Sequence, residues 1–125
     1  MSIEIVDTSN NVLTFRVTGL LKQPELAAVQ KEAGAVIQKL GKVRLLVLTE
    51  KFEGWERGGN WGDLSFSSKY DPVIEKMAVV GEQKWEDLAL MFTSKGIRRV
   101  EIEYFLPSEE AQARAWLAAG GQDPK

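Results

Sequence analysis

Val43-Arg44-Leu45-Leu46-Val47-Leu48 and Met77-Ala78-Val79-Val80-Gly81 decide the fold. Neither run alternates between apolar and polar residues. Successive side chains of a strand point to opposite faces of its sheet, so a nearly continuous apolar strand is buried on both faces. That environment is the interior of a parallel sheet with helices on either side. Two parallel neighbours cannot be joined by a tight turn; they need a crossover, usually a helix, and it is right-handed.

The rest of the chain reads outward from this pair. Residues 3–6 form a short apolar strand, and Asp7-Thr8-Ser9-Asn10-Asn11 is a cluster of turn formers. Leu13, Phe15 and Val17 then alternate with Thr14, Arg16 and Thr18, giving the second strand of a hairpin closed off by Gly19. Pro24 suits a first helical turn, where its missing N–H costs nothing. Leu26, Val29, Ala33, Ile37 and Leu40 make one apolar stripe opposite Glu25, Lys31, Glu32 and Lys39, and Gly41 ends the helix. Beyond the central strands, Trp85, Leu88, Ala89 and Phe92 form a second stripe that ends at Gly96. Val100, Ile102 and Tyr104 alternate with Glu101 and Glu103, as in a strand nearer the sheet edge. Ser108 is placed to cap a last helix through Ala111, Ala115, Trp116 and Leu117, with Glu109 and Glu110 at its positive end.

Between the central strands, Gly54, Gly58, Gly59, Asn60 and Gly62 argue by propensity for a loop in the segment from Thr49 to Asp71, yet a crossover is required. Trp61, Leu64 and Ser68 share a helical face, so a helix is predicted over about 57–70. The expectation is one α/β domain over residues 1–119 with a flexible tail at 120–125. It has a mixed, mostly parallel five-stranded sheet and four helices in the order ββαβαβαβα.

Composition narrows the chemistry. The 125 residues suit one domain, and 44% hydrophobic with 27% charged residues is ordinary for a globular chain. Sixteen basic and eighteen acidic residues leave a net charge of -2, which offers no excess to neutralise a nucleic acid. Cysteine and histidine are both absent, which removes disulfides, thiol nucleophiles, histidine triads and Cys/His zinc sites. No cofactor or metal is expected, and no catalytic residue is assigned. The start lacks the basic and apolar segments of a signal peptide, and no run reaches the ~20 apolar residues of a membrane span. A cytoplasmic protein with no stable membrane insertion is expected.

Phe52-x-Gly54-Trp55, Trp61-x-Asp63-Leu64-x-Phe66, and Ile74-Glu75-Lys76-Met77-Ala78-Val79-Val80-Gly81 with Lys84-Trp85 together resemble the SpoIIAA-like family of small STAS/CRAL-TRIO-type proteins. Glu103-Tyr104-Phe105 and Ala113-Arg114-Ala115-Trp116-Leu117 fit the same pattern, so the resemblance covers about 3–117. It implies a STAS-like domain. STAS domains are mostly regulatory binding modules, among them anti-sigma-factor antagonists, and CRAL-TRIO relatives bind lipids or other hydrophobic ligands. Antagonists of that type carry a phosphorylatable serine in an Asp-Ser-Ser-Gly-like turn after the third strand. Here the place holds Glu50-Lys51-Phe52-Glu53-Gly54-Trp55, so that switch does not carry over. Ser65, Ser67 and Ser68 lie nearby and read as the polar face of a helix.

Ligands of open α/β sheets gather beyond the carboxyl ends of the parallel strands. That rim is predicted to hold Phe52, Trp55, Arg57, Gly58 and Trp61 after one strand and Lys84 after the next. Phe52 and Trp55 would supply apolar contact, Arg57 orientation, Gly58 close backbone approach and Trp61 a packed anchor. The occupant is a protein partner or, alternatively, a small hydrophobic or amphipathic ligand. A plain structural role, with the tryptophans covering the open end of the sheet, fits the same residues. Trp85 and Trp116 read as core, Glu101 and Glu103 as a solvated face, and Glu50, Glu53 and Glu56 as solvated loop residues. Exposed helix surface could also support a homodimer.

Overall fold

Turn chemistry shapes the start of the chain. The structure, a computed structural model, describes residues 2–57, 69–93 and 100–120. Strand β1 (Ile3–Asp7) pairs antiparallel with β2 (Val12–Leu21), Ile3 opposite Val17 and Ile5 opposite Phe15. Asn10 and Asn11 turn the chain in the left-handed region, at φ 57° and 60°, which Asn tolerates better than most residues. The Asn11 side-chain amide donates to the Lys42 carbonyl at 3.0 Å and ties the turn to the next strand.

Helix α1 (Gln23–Leu40) carries Pro24 in its first turn and ends at Gly41, whose φ of 83° suits glycine and whose N–H donates to the Ile37 carbonyl. It buries Val29, Ala33 and Ile37 of the predicted stripe, while Leu26 is partly buried and Leu40, at the last turn, is exposed. Gly34 has a separate reason: a Cβ there would lie 2.6 Å from the Tyr70 hydroxyl oxygen, so only glycine lets that ring lie on the helix.

Strand β3 (Val43–Trp55) runs parallel to β2 on one side and to β4 (Ile74–Val80) on the other. Strand β5 (Glu101–Phe105) extends the sheet, parallel to β4. The spatial order is β1-β2-β3-β4-β5, with the antiparallel strand at one edge. Leu45, Met77 and Val79 face the core beneath α1, while their chain neighbours Leu46, Ala78 and Val80 face Ala113 and Leu117 of the last helix. This is why the two runs are apolar without alternation. Fully burying each such Leu or Val contributes about 1.5–3 kcal/mol. Helix α2 (Glu86–Phe92) lies on the α1 side, through Trp85 and Leu90, and α3 (Glu110–Gly120) covers the other face.

Three expectations need correction. The third strand does not stop at residue 48; it continues to Trp55, so residues 49–55 are strand rather than loop. Two register shifts opposite Gly19 accommodate the glycine and charged residues that argued against a strand. Ser108 is not the cap of the last helix: Pro107–Glu109 is a 3-10 turn, and the Glu109 carboxylate accepts the Leu106 N–H at 2.8 Å. The described residues contain three α-helices rather than four. The fourth, predicted over about 57–70, falls mostly outside the described residues, although Lys69 and Tyr70 are helical. Gly96 and residues 121–125 of the expected tail also lie outside them. No helix among the described residues is long and apolar enough to cross a membrane.

Candidate functional site

The carboxyl ends of β3 and β4 carry an aromatic cluster. Phe52 is 8% exposed and meets Trp55 edge-on, ring centroids 5.0 Å apart at 88°. It meets Trp85 in the same way at 5.0 Å and 70°, and the two indoles approach to 6.1 Å at 82°. These are the favoured edge-to-face geometries, which add about 0.5–1.5 kcal/mol per pair to the area buried. Both indoles are partly buried.

Local backbone makes the cluster. Residues three apart on a regular strand point to opposite faces. Here Gly19 pairs with Phe52, Leu20 with Gly54 and Leu21 with Trp55, so Glu53 is an extra residue on β3. The bulge brings Phe52 and Trp55 to one face. Gly54 sits at φ 102°, and a Cβ on it would lie 3.3 Å from the Trp85 ring. Glycine therefore serves both the bulge and the approach of the indole.

Charge borders this cluster. Arg57 and Lys84 are exposed, and the Lys84 ammonium lies 5.6 Å from the centre of the Trp85 ring. Glu56 is not a solvated loop residue: its carboxylate accepts the Gln23 N–H at 2.9 Å and so supplies the anion that the start of α1 favours. On the β4 side, the Thr49 hydroxyl donates to the Val80 carbonyl and the Tyr104 hydroxyl to the Glu82 carbonyl, each at 2.8 Å. Burial, followed by the charges of Glu86 and Glu82, pushes the Tyr104 phenol up to about 12.

Of the predicted residues, the structure brings Phe52 and Trp55 together, places Lys84 at the edge of their cluster and leaves Arg57 exposed two residues beyond Trp55. Phe52 is buried, so it supports the indoles rather than offering contact surface. Gly58 and Trp61 lie outside the described residues. Trp85 was read as core and does pack against the core beneath α1; its ring also completes the aromatic cluster, for which its position just after Lys84 on the same rim was the available signal. No group of three or more acidic side chains able to hold a metal occurs among the described residues.

The chain belongs to the SpoIIAA-like family, whose sequence model matches residues 12–118. In three dimensions it is similar to an uncharacterized protein of the DUF3478 family with a SpoIIAA-like fold from Shewanella loihica PV-4. The TM-score is 0.70 and the identity 17%, over 92% of this chain and 91% of that one. At that identity the likeness speaks for the fold. No curated protein matches the chain.

Proposed function

We propose that this chain is a cytoplasmic, non-catalytic regulatory module that docks a protein partner at the rim where β3 and β4 end. One observation carries the reading: two partly buried indoles are held edge-on around a buried Phe52, with exposed Arg57 and Lys84 beside them. Tryptophan and arginine dominate the energetics of protein interfaces, and anchors already fixed in place lose little entropy on binding. Trp55 provides the apolar anchor, Arg57 and Lys84 orient the partner, and Phe52 and Trp85 hold the anchor in position. Gly58 and Trp61, which follow Arg57 in the sequence, are assigned the same partner-binding role. Binding, not catalysis, suits a sequence without histidine or cysteine and a rim with no paired nucleophile and base among its named residues.

A small amphipathic ligand is the competing occupant of the rim. The packing favours it less, because the Trp55 ring already packs edge-on against both Phe52 and Trp85. Quantitative affinity capture separates the readings. Arg57→Ala/Lys84→Ala should keep the wild-type melting temperature and lose the partners that wild type retains. Equal recovery from both proteins would refute the partner surface. A stoichiometric copurified small molecule in native mass spectra would favour the ligand instead.

A further inference from the structure

The opposite end of the sheet holds a second feature. Where β2 and β3 begin, the β1–β2 turn, the start of β3 and helix α3 enclose a cleft of about 590 Å³. Small-molecule sites are typically ~300–1,000 Å³. Leu46 and Leu117 are buried in its floor. Thr14, also in the lining, is 2% exposed, and its hydroxyl has no hydrogen-bond partner among the described residues.

Three cations line this cleft, Lys42, Arg44 and Arg114, in a chain whose net charge is -2. Two acids line it as well, and both are engaged. The Asp7 carboxylate accepts the Ser9 hydroxyl at 2.6 Å; that bond, with a smaller contribution from the charge of Arg114, holds its carboxyl below the usual carboxylate range. Glu75 accepts the Arg44 Nε–H at 3.1 Å. Arg44 also donates through Nη1 to the Leu117 carbonyl, which fixes its guanidinium between β3 and α3. Arg114 donates through Nε and Nη2 to Glu110, at 3.0 and 2.9 Å. A guanidinium has five N–H donors, so both arginines keep unused ones, and the exposed Lys42 ammonium forms no ion pair among the described residues.

We propose that this cleft binds a small organic anion, a carboxylate or a phosphate monoester with a short apolar body. Lys42 and the spare N–H groups of Arg44 and Arg114 take the anionic group. The apolar body lies over Leu117, towards Thr14. Arg44 is already anchored, so it needs no ordering when the ligand arrives. The site is separate from the aromatic rim, because the two lie at opposite ends of β3, whose regular stretch from Val43 to Leu48 alone spans roughly 16 Å at ~3.3 Å per residue.

Two-dimensional amide NMR of the full chain tests this, with benzoate, phenyl phosphate, inorganic phosphate and neutral benzyl alcohol as probes. Saturable shifts confined to Asn10, Asn11, Lys42, Arg44 and Ala118 are expected with benzoate, phenyl phosphate or both. The tighter of the two identifies the head group. Lys42→Met/Arg114→Met replaces two exposed side chains and should weaken binding by about tenfold or more, the scale of one charge-assisted hydrogen bond. If the double variant does not fold, Lys42→Met alone should still weaken it severalfold. Arg57→Ala/Lys84→Ala should bind as wild type does, whatever that variant does to partner capture. The proposal is overturned if neither organic anion gives saturable shifts at the cleft. It is also overturned if benzyl alcohol or inorganic phosphate binds as tightly as the organic anions, or if the lysine and arginine substitutions change nothing.

Discussion

Replacing Trp85 by Phe and by Ala separates the packing of the aromatic rim from its hydrogen bonding. Truncating a fully buried tryptophan costs about 3–5 kcal/mol. Trp85 is partly buried, but it forms two edge-to-face contacts, with Phe52 and with Trp55. Those pairs add ~0.5–1.5 kcal/mol each, so Trp85→Ala should destabilise the protein by about 2–4 kcal/mol. Trp85→Phe retains an aromatic ring and gives up part of the buried area. It also removes a buried indole N–H that has no hydrogen-bond partner among the described residues. Leaving such a group unmade costs about 1–3 kcal/mol, which offsets the lost area, and the Phe variant should lie within about 1 kcal/mol of wild type. Urea unfolding followed by circular dichroism measures both, since fluorescence would change with the loss of one of four tryptophans. Partner capture should follow the same order, because the Ala variant leaves Trp55 without one of its two supports. Equal destabilisation by Phe and Ala would show that the N–H is engaged in solution and would refute this account of the cluster.

Gly81→Ala places a Cβ 2.4 Å from the Tyr104 hydroxyl oxygen and 2.5 Å from that of Thr49, both already hydrogen-bonded to backbone. It should cost about 1–3 kcal/mol as overpacking, and Tyr104→Phe in the same chain should recover part of the lost urea midpoint. Thr14→Val removes the unpartnered buried hydroxyl at little change in shape and should raise stability by about 1 kcal/mol, a few degrees in thermal melts, whereas Thr14→Ser should lower it. A fall on Thr14→Val would mean that the hydroxyl has a partner in solution. Tyr104 ionises at about 12 in the folded protein against an ordinary 10.0, so folding favours the neutral phenol. Its contribution is complete below pH 10 and is lost as pH rises from there to about 12. Tyrosinate absorbance should show late titration that is lost in Tyr104→Phe, and the same substitution should flatten the alkaline side of the stability profile.

The central architecture was legible because burial on both faces leaves a mark in the sequence. Leu45 and Leu46 go to opposite cores, as do Ala78 and Val79, so successive positions all call for apolar residues. The stripe of α1 and the hairpin alternation were legible for the same reason. The far half of β3 was not. Lys51, Glu53 and Gly54 are poor strand formers, and what holds this stretch in the sheet is the ladder that Glu50, Phe52, Gly54 and Trp55 make to β2, a tertiary contact that propensity does not see. Phe52 and Trp55 could be singled out as a pair, but their common face depends on the bulge at Glu53. Trp85 could not be distinguished from core by spacing alone, because a residue on an apolar stripe and one packed at a rim share the same period. The cleft at the other end left no motif, since its cations come from β3, the residue before it and α3.

Backbone cost marks the far end of β3 as different from its first half. From Val43 to Leu48 every residue follows strand rules, and neighbours on both sides stay in register apart from one shift at Val43. Beyond Leu48, Lys51 stands at φ 51°, a left-handed conformation that costs a non-glycine residue about 1–2 kcal/mol, and Gly54 follows at φ 102°. A strand needed only to complete the sheet could end at residue 50 without that cost. What the irregular stretch achieves is the placement of Phe52 and Trp55 on one face, within reach of Trp85. Local strain tends to persist where the resulting geometry is used. The same reasoning does not extend to the cleft: its left-handed residues, Asn10 and Asn11, are of the type that tolerates that conformation and complete a turn the hairpin requires in any case. Strain therefore supports the rim as a binding surface. The cleft rests on its charges and on the unpartnered hydroxyl of Thr14.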